Sequence, residues 1–542
     1  MDTSEATESG WQGRASRRRS TAFETEAALV EEQPIDGVGG RLGRWGSHLL
    51  VLSLIALPLM FGGVHPTVYA PLEVTVFLLT AALASVYSHE VAPYFSAGTL
   101  SRVIFLLGIV FLAYAVVRLG VDIALSSNHH PILGADTGYA AFLGGAAWIR
   151  EFFFFLCILV STRTLLVLQP TLSNRLIQAI IVSGCITAFV GLAHWFYDNG
   201  RLFWLFEPDN VFISQRARWP FVNSNHLGCF LVPSLFLLIA RCVNTSTGLR
   251  SMTVSQRTGR AKSFSDLMAD ERFQKRLLRL TIDGALLLVI LLCIIATLSR
   301  GVWLGTIIGI GVFLALDILS RPKSTAAPAP ELKLADPESR SGRRRSRRHR
   351  DRSAVRTLAL SPTAWRRLQG CFVAALCVGV YFFLQGRGAE LVESRIEYGL
   401  LHSKEDMRFQ LLADTWPMIA AHPWFGVGVG GWASAHAEIM SPLLAGIVPV
   451  YLHNDPIQLL AELGIVGLAL AVIGWGVLWI RSTKATFRSE SRLTLIAGVA
   501  ILTATTTATL FDFHLRMPAI VLQLGVLGAL IIDLTDRATK NQ

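Results

Sequence analysis

The sequence predicts an all-α polytopic membrane protein with about 12 transmembrane helices and a large external loop before the tenth. Three observations predict it. Apolar runs of bilayer-crossing length follow one another along the 542 residues, and Lys and Arg concentrate on alternate loops between them. Charged residues make up only 16% of the chain, where a soluble protein of this size carries about 25%. The net charge of +11 does not point to nucleic acid, because much of the excess sits in two polar segments that the positive-inside rule places in the cytoplasm.

Residues 1–43 are polar, with acidic patches and the run Arg17-Arg18-Arg19, and are expected to be a disordered cytoplasmic tail. A polar stretch of this length ahead of the first apolar run argues against a signal peptide. The first part of the membrane domain, 44–321, holds runs at about 46–63, 68–88, 102–119, 147–167, 177–197, 223–241, 281–299 and 301–320. The fourth carries Arg150 and Glu151 near its start. The seventh and eighth are split only by Ser299-Arg300-Gly301, which predicts a tight helical hairpin. Segment 322–366 is rich in Ala, Pro, Ser and Arg. It is expected to be a disordered cytoplasmic linker, with Arg343 to Arg350 as its topology anchor. The second part, 367–535, holds runs at about 368–385, 456–480, 493–511 and 517–534, and 536–542 is a short cytoplasmic tail.

An even number of spans puts both termini in the cytoplasm. The opposite side then receives the loops around 120–146, 198–222, 300, 386–455 and 512–516. The longest, 386–455, contains a helix-like stretch from Glu393 to Ile419, and its Trp416, Trp424 and Trp432 suit a layer lying on the membrane surface. The seven cysteines lie within or at the ends of apolar runs. They form no CxxC pair and no His/Cys metal spacing, so they are packing residues and no metal site is expected.

Polar residues that break the charge pattern are costly in a membrane protein and mark candidate sites. His453-Asn454-Asp455-Pro456 opens the tenth span, with Asp455 as the expected N-cap and Pro456 in the first turn. Asp455, Gln458 and Glu462 then share one helix face, and Gly464 and Gly467 allow close helix contact. The plain alternative is an ordinary capped helix start. The second candidate runs from Arg216 to His226 and includes Arg218, Asn223 and Asn225. These groups suit either an anion such as phosphate or a snorkelling anchor. Arg300 sits between two apolar runs on the non-basic side, as an anchor or an anion ligand. Arg408 precedes the glycine-rich stretch 422–431, whose amides are a further possible phosphate lining, although no nucleotide-loop Lys-Ser/Thr follows. Asp512 and Arg516, in a short outer turn, either face the site or pair with one another.

Together these elements resemble the O-antigen ligase and polymerase (Wzy-C type) family. HNDPIQLLAELGIVGL at 453–468 is similar to the family signature. RWPFVNSNH, SRGVWLG, Arg408 with HPWFGVGVGG, and FDFHLRMPA occur in the family's order across about 200–530. The basic linker is unusual for the family but interrupts none of the five elements. The resemblance implies a GT-C-like fold and a metal- and cofactor-independent inner-membrane glycosyltransferase of lipopolysaccharide or other polysaccharide biosynthesis. Its donor would be a glycan on undecaprenyl or another polyprenyl diphosphate. Its acceptor would be lipid A-core, another glycan or a protein, at the outer face of the bacterial inner (cytoplasmic) membrane. By this resemblance His453 is the catalytic base. Arg218, Arg300 and the weaker candidate Arg408 hold the diphosphate. Asn223, Asn225, Asn454, Asp455, Glu462, Asp512 and Arg516 support them. Polymerase rather than ligase is the nearest alternative. A small-anion transporter is the alternative from another class, and it calls for inverted repeats or broken helices with polar groups at mid-membrane.

Overall fold

A chain in lipid has to satisfy its backbone internally, and apolar runs of this length do so as helices. The computed structural model describes residues 38–96, 98–126, 135–197, 201, 203–205, 216–253, 263–321, 393–394, 397, 407–444 and 449–540. The N-terminal tail up to residue 37, the basic linker, the ninth apolar run, Cys371 and Cys377 lie outside the described residues.

Among the described residues the regular elements are all helical. We number the α-helices α1 Val38–Ala56, α2 Pro66–Val91, α3 Leu100–Ser126, α4 Ala135–Leu168, α5 Leu172–Phe196, α6 Ser224–Met252, α7 Phe264–Ala269, α8 Glu271–Ala296 and α9 Arg300–Leu319. After the linker come α10 Met407–Ala421, α11 Trp432–Ile439, α12 Asp455–Thr486, α13 Arg492–Thr509 and α14 Pro518–Lys540. Eleven of the described helices are long and apolar enough to cross a membrane, and they coincide with eleven of the expected runs. The fold is therefore an all-α polytopic membrane protein. The first helix starts at Val38, inside the segment expected to belong to the polar tail.

α14 and α6 form the centre, with 89% and 78% of their apolar windows buried, whereas α3 and α12 bury only 11% and 17% and face outward. The expected hairpin of the seventh and eighth runs does not form. α8 packs along α5 and α6, and α9 packs along α13. Small residues decide this: Gly305 and Gly309 let α9 approach so closely that a Cβ on either would strike the α13 backbone or its Ala504 and the Phe236 ring. Contact with α13 outweighs the short turn, and Leu298, with φ of 50°, takes up the change of direction.

Polar side chains collect at the two ends of the bundle. At one end Arg163 pairs with Asp533 at 3.0 Å, Arg492 with Asp317 at 2.8 Å, and Arg241 with Asp283. Asp536 there accepts the Leu100 amide at the start of α3 at 2.7 Å. Each of these contacts joins residues that the charge pattern places on the basic side. The candidate residues gather at the opposite end.

Candidate active site at the outer end of the bundle

The centre of the site is the start of α12. Asn454, not Asp455, is the N-cap: its side chain accepts the Ile457 amide at 3.0 Å. Asp455 is already helical and instead accepts the Leu515 amide at 3.1 Å, tying α12 to the turn before α14. The correction follows from reach, since an N-cap oxygen bonds an amide two or three residues on, and Asn454 is the residue so placed. His453 just before the cap has φ of 59°. A non-glycine residue in that region is uncommon and is held there by its surroundings.

What holds it is Asp512. The His453 Nδ1 lies 2.7 Å from Asp512 Oδ1, and this carboxylate is 1% exposed. Its other partners come from its own turn, from the 223–226 segment and from α10. The Phe513 amide donates to Oδ1 at 2.9 Å. Asn223 donates to Oδ2 at 3.4 Å, and Asn225 donates to the same oxygen. Arg408 Nη2, from α10, stands 3.5 Å from Oδ2. His226 Nε2 is 4.0 Å from Oδ1. The anion held by the Asn223 and Asn225 amides is thus the protein's own carboxylate. Burial by itself would raise the Asp512 pKa; the hydrogen bond from His453 and the neighbouring His226, His514 and Arg408 outweigh it and hold the carboxyl well below its usual range. Burial pushes His514, beside it, down to about 4.

Asp512 and Arg516 do not pair with one another. Arg516 turns the other way, to Glu151 of α4 at 3.1 Å and Glu462 of α12 at 3.3 Å. Its guanidinium also lies over the Trp148 and Tyr451 rings. Glu462 accepts a second bond from Gln458 at 2.9 Å, and Gln458 accepts the Leu452 amide at 3.0 Å. The polar face expected on the tenth span thus exists, and it is directed at the 510–517 turn. Arg516 thus gives both carboxylates, Glu151 and the buried Glu462, a partner of opposite charge.

The remaining arginines sit on segments that pack against this turn. Arg216 donates to the Thr297 carbonyl at 2.7 Å and to Asn225 at 2.6 Å, joining the two sequence elements. Arg218 is buried with its guanidinium 4.9 Å from the Trp219 ring centre. Arg300 is half-buried as the first residue of α9, and a Cβ on the adjoining Gly301 would collide with Phe511.

The glycine-rich stretch has a different role from a phosphate lining. Gly464 has φ of 65° and ψ of −169°, a conformation open only to glycine, and α12 breaks there. In an unbroken helix Ile465 and Val466 would donate to Ala461 and Glu462. Instead the loop enters the ladder: Ile465 N–H donates to the Pro423 carbonyl at 2.8 Å and Val466 to Trp424 at 3.3 Å. In return Val427 and Gly428 donate to Ala461 and Glu462 at 2.8 and 3.1 Å. Gly426 donates to His422 and Gly431 to Gly428, while the Val429 and Gly430 amides face the carboxylates of Asp122 and Glu462. The amides of 426–431 are consequently used within the protein. Trp432 differs from expectation too. It is fully buried, donating to Thr415 at 2.9 Å, whereas Trp416 and Trp424 are exposed as a surface layer requires.

Three residues here escaped the sequence reading as site residues. Glu151 and Tyr451 carry no local signal, and His514 was visible only as a letter inside its motif, whereas Arg216 and His226 bounded the second candidate. Among the described residues no group of three or more His, Cys, Asp or Glu is placed to hold a metal ion.

Among curated proteins none matches the chain. Residues 285–472 match the family model described as O-Antigen ligase. The matched segment runs from α8 through α9, α10, α11 and the break in α12, and so includes Arg300, Arg408, His453 and Glu462. Asp512 and the 216–226 segment fall outside it, yet they close on the matched residues in space. By this match and this architecture, the chain is a multi-pass membrane protein carrying a domain of the O-antigen ligase family.

Proposed function

We propose that the protein transfers a polyprenyl-diphosphate-linked glycan to an acceptor hydroxyl at the outer face of the bacterial inner membrane. The family match supports the coarser statement, a glycan-transferring role in cell-surface polysaccharide assembly. The finer one rests on a single observation, the 2.7 Å contact between His453 and a buried, ionised Asp512.

Asp512 takes His453 Nδ1–H, which leaves Nε2 as a base and stabilises the imidazolium once a proton arrives. The acceptor hydroxyl gives its proton to Nε2 while its oxygen attacks the anomeric carbon of the donor. The bond from that carbon to the diphosphate oxygen breaks, and the leaving diphosphate carries the electron pair away. Arg300 and Arg218 neutralise it, with Arg408 sharing its charge between Asp512 and the donor. A polymerase, with another repeat unit as acceptor, would use the same groups, as would transfer to a protein hydroxyl. The α12 break is a feature that anion transport would also need. The Ala461 and Glu462 carbonyls and the Ile465 and Val466 amides that it frees, however, bond to the loop rather than being left for an ion.

The test is transfer from purified lipid-diphosphate glycan in reconstituted membranes, with EDTA present. His453→Ala is expected to lose about a hundred- to ten-thousand-fold in rate while remaining inserted. Full activity in that variant removes His453 from the mechanism, and strict dependence on a divalent metal overturns the metal-free scheme.

A further inference from the structure

α3 is the most outward-facing of the crossing helices, yet past its first turn its otherwise apolar sequence carries Tyr114, Arg118 and Asp122. At four-residue spacing the three share one face. Each reaches backbone that the α12 break or its inserted loop leaves in need of a partner. The Tyr114 hydroxyl donates to the Leu463 carbonyl at 2.8 Å. In an intact helix that carbonyl would take the Gly467 amide. Arg118 Nε donates to Phe425 O at 3.1 Å and Nη2 to Gly426 O at 3.2 Å. Arg118 also pairs with Asp122, whose carboxylate faces the Val429 amide and occupies the space a Cβ on Gly428 would need. A charged pair on a lipid-facing helix is expensive unless it serves another element.

We propose that Tyr114, Arg118 and Asp122 are positioning residues that clamp the 422–431 loop into the α12 break and so set the geometry of the His453–Asp512 pair. The effect passes along named contacts. The loop holds the Ala461 and Glu462 carbonyls, and its Gly430 amide faces the Glu462 carboxylate. Glu462 holds Arg516, Arg516 belongs to the turn that carries Asp512, and Asp512 orients His453. This proposal rests on the transfer reading for its kinetic consequence but not for the clamp itself.

The experiment therefore has two arms, on full-length protein in reconstituted membranes. Hydrogen exchange reads the clamp: Arg118→Gln and Asp122→Asn should speed exchange of amides in 422–431 and 461–466 by about tenfold, with the α14 core unchanged. Kinetics read its purpose: kcat should fall about tenfold or more from a small displacement, with KM for the donor within about twofold. The acid limb of the pH–kcat profile should move as His453 loosens from Asp512. Arg118→Lys should recover only part of kcat, since a lysine cannot serve two carbonyls and a carboxylate with a planar fork. If either charge variant fails to insert, Tyr114→Phe, which deletes one hydroxyl, carries both arms. Unchanged exchange overturns the clamp. Faster exchange with wild-type kcat and pH profile overturns the positioning role. A wild-type protein that transfers no glycan defeats the proposed function, while the exchange result still decides the clamp.

Discussion

Asp512 is the residue on which the outer site turns, because its two oxygens are shared among His453, Asn223, Asn225, Arg408 and the Phe513 amide. Asp512→Asn keeps the shape but removes the charge that orients and stabilises an imidazolium, so transfer should fall by about 10²–10⁴-fold with donor binding retained. Donor affinity lost in proportion to rate would instead place Asp512 in binding. Next to it, His514 sets a pH dependence of stability. Its pKa is about 4 in the fold against 6.5 for the free side chain. Between those values the unfolded state takes up a proton that the folded state refuses, so stability is intact above 6.5 and declines as pH falls towards 4. Asp512, held lower still, stays ionised through that window. The expected loss is about 3 kcal/mol. Melting in detergent from pH 7 to 4.5 should show it, and His514→Gln should flatten the slope. Arg516→Ala strips Glu462, 1% exposed, of its cation. It should cost about 3–5 kcal/mol, with Arg516→Lys between it and wild type in the same melt.

At the scale of the element, α12 is two helices joined at Gly464, the outer one bringing Asp455, Gln458 and Glu462 to the site and the inner one facing lipid. A Cβ at position 464 would collide with the Trp424 carbonyl and Phe425 amide, and φ of 65° with ψ of −169° excludes it as well. Gly464→Ala should therefore destabilise by at least about 1–3 kcal/mol and abolish transfer. Gly474 in the same helix has open space around it. Gly474→Ala should be neutral or stabilising by up to about 1 kcal/mol. Similar melting temperatures for the two variants would mean that the break is dispensable. Gly426, with φ of 68° and its Cβ position inside Glu462, makes the matching demand on the loop.

Across the whole molecule, contacts segregate by end. The ion pairs of Arg163, Arg241 and Arg492 lie together at one end, and those of Asp512 and Arg516 at the other. The charge pattern assigns the first end to the cytoplasm. Both termini and the 322–366 linker are accordingly proposed to be cytoplasmic, with the α10–α11 layer external. A cysteine substituted for Ser346 should resist a membrane-impermeant reagent in intact cells, and one substituted for Trp424, which is exposed, should react. Labelling in the reverse order inverts the topology and removes the site from the outer face.

The sequence by itself determined the eleven described spans, their grouping into two polar ends and the segments that meet at the candidate site. Each follows from one-dimensional regularities: an apolar run long enough for a bilayer, alternation of Lys and Arg between loops, and short polar motifs at span boundaries. Only the tertiary structure decided partnership. Asp512 and Arg516 stand a turn apart in sequence, and local reasoning allowed them to pair. Packing instead sends one to His453 and the other to Glu151 and Glu462. The seventh and eighth runs likewise have a hairpin's short connection, but glycine contacts with α13 set their direction. Tyr114, Arg118 and Asp122 look like stray polar residues on a lipid-facing helix until the break in α12, some 350 residues away, presents the Leu463 carbonyl that Tyr114 meets. Sequence spacing specifies which residues share a face. Which face meets which is fixed by side-chain volume and by the need to satisfy buried backbone, and those are properties of the packed molecule.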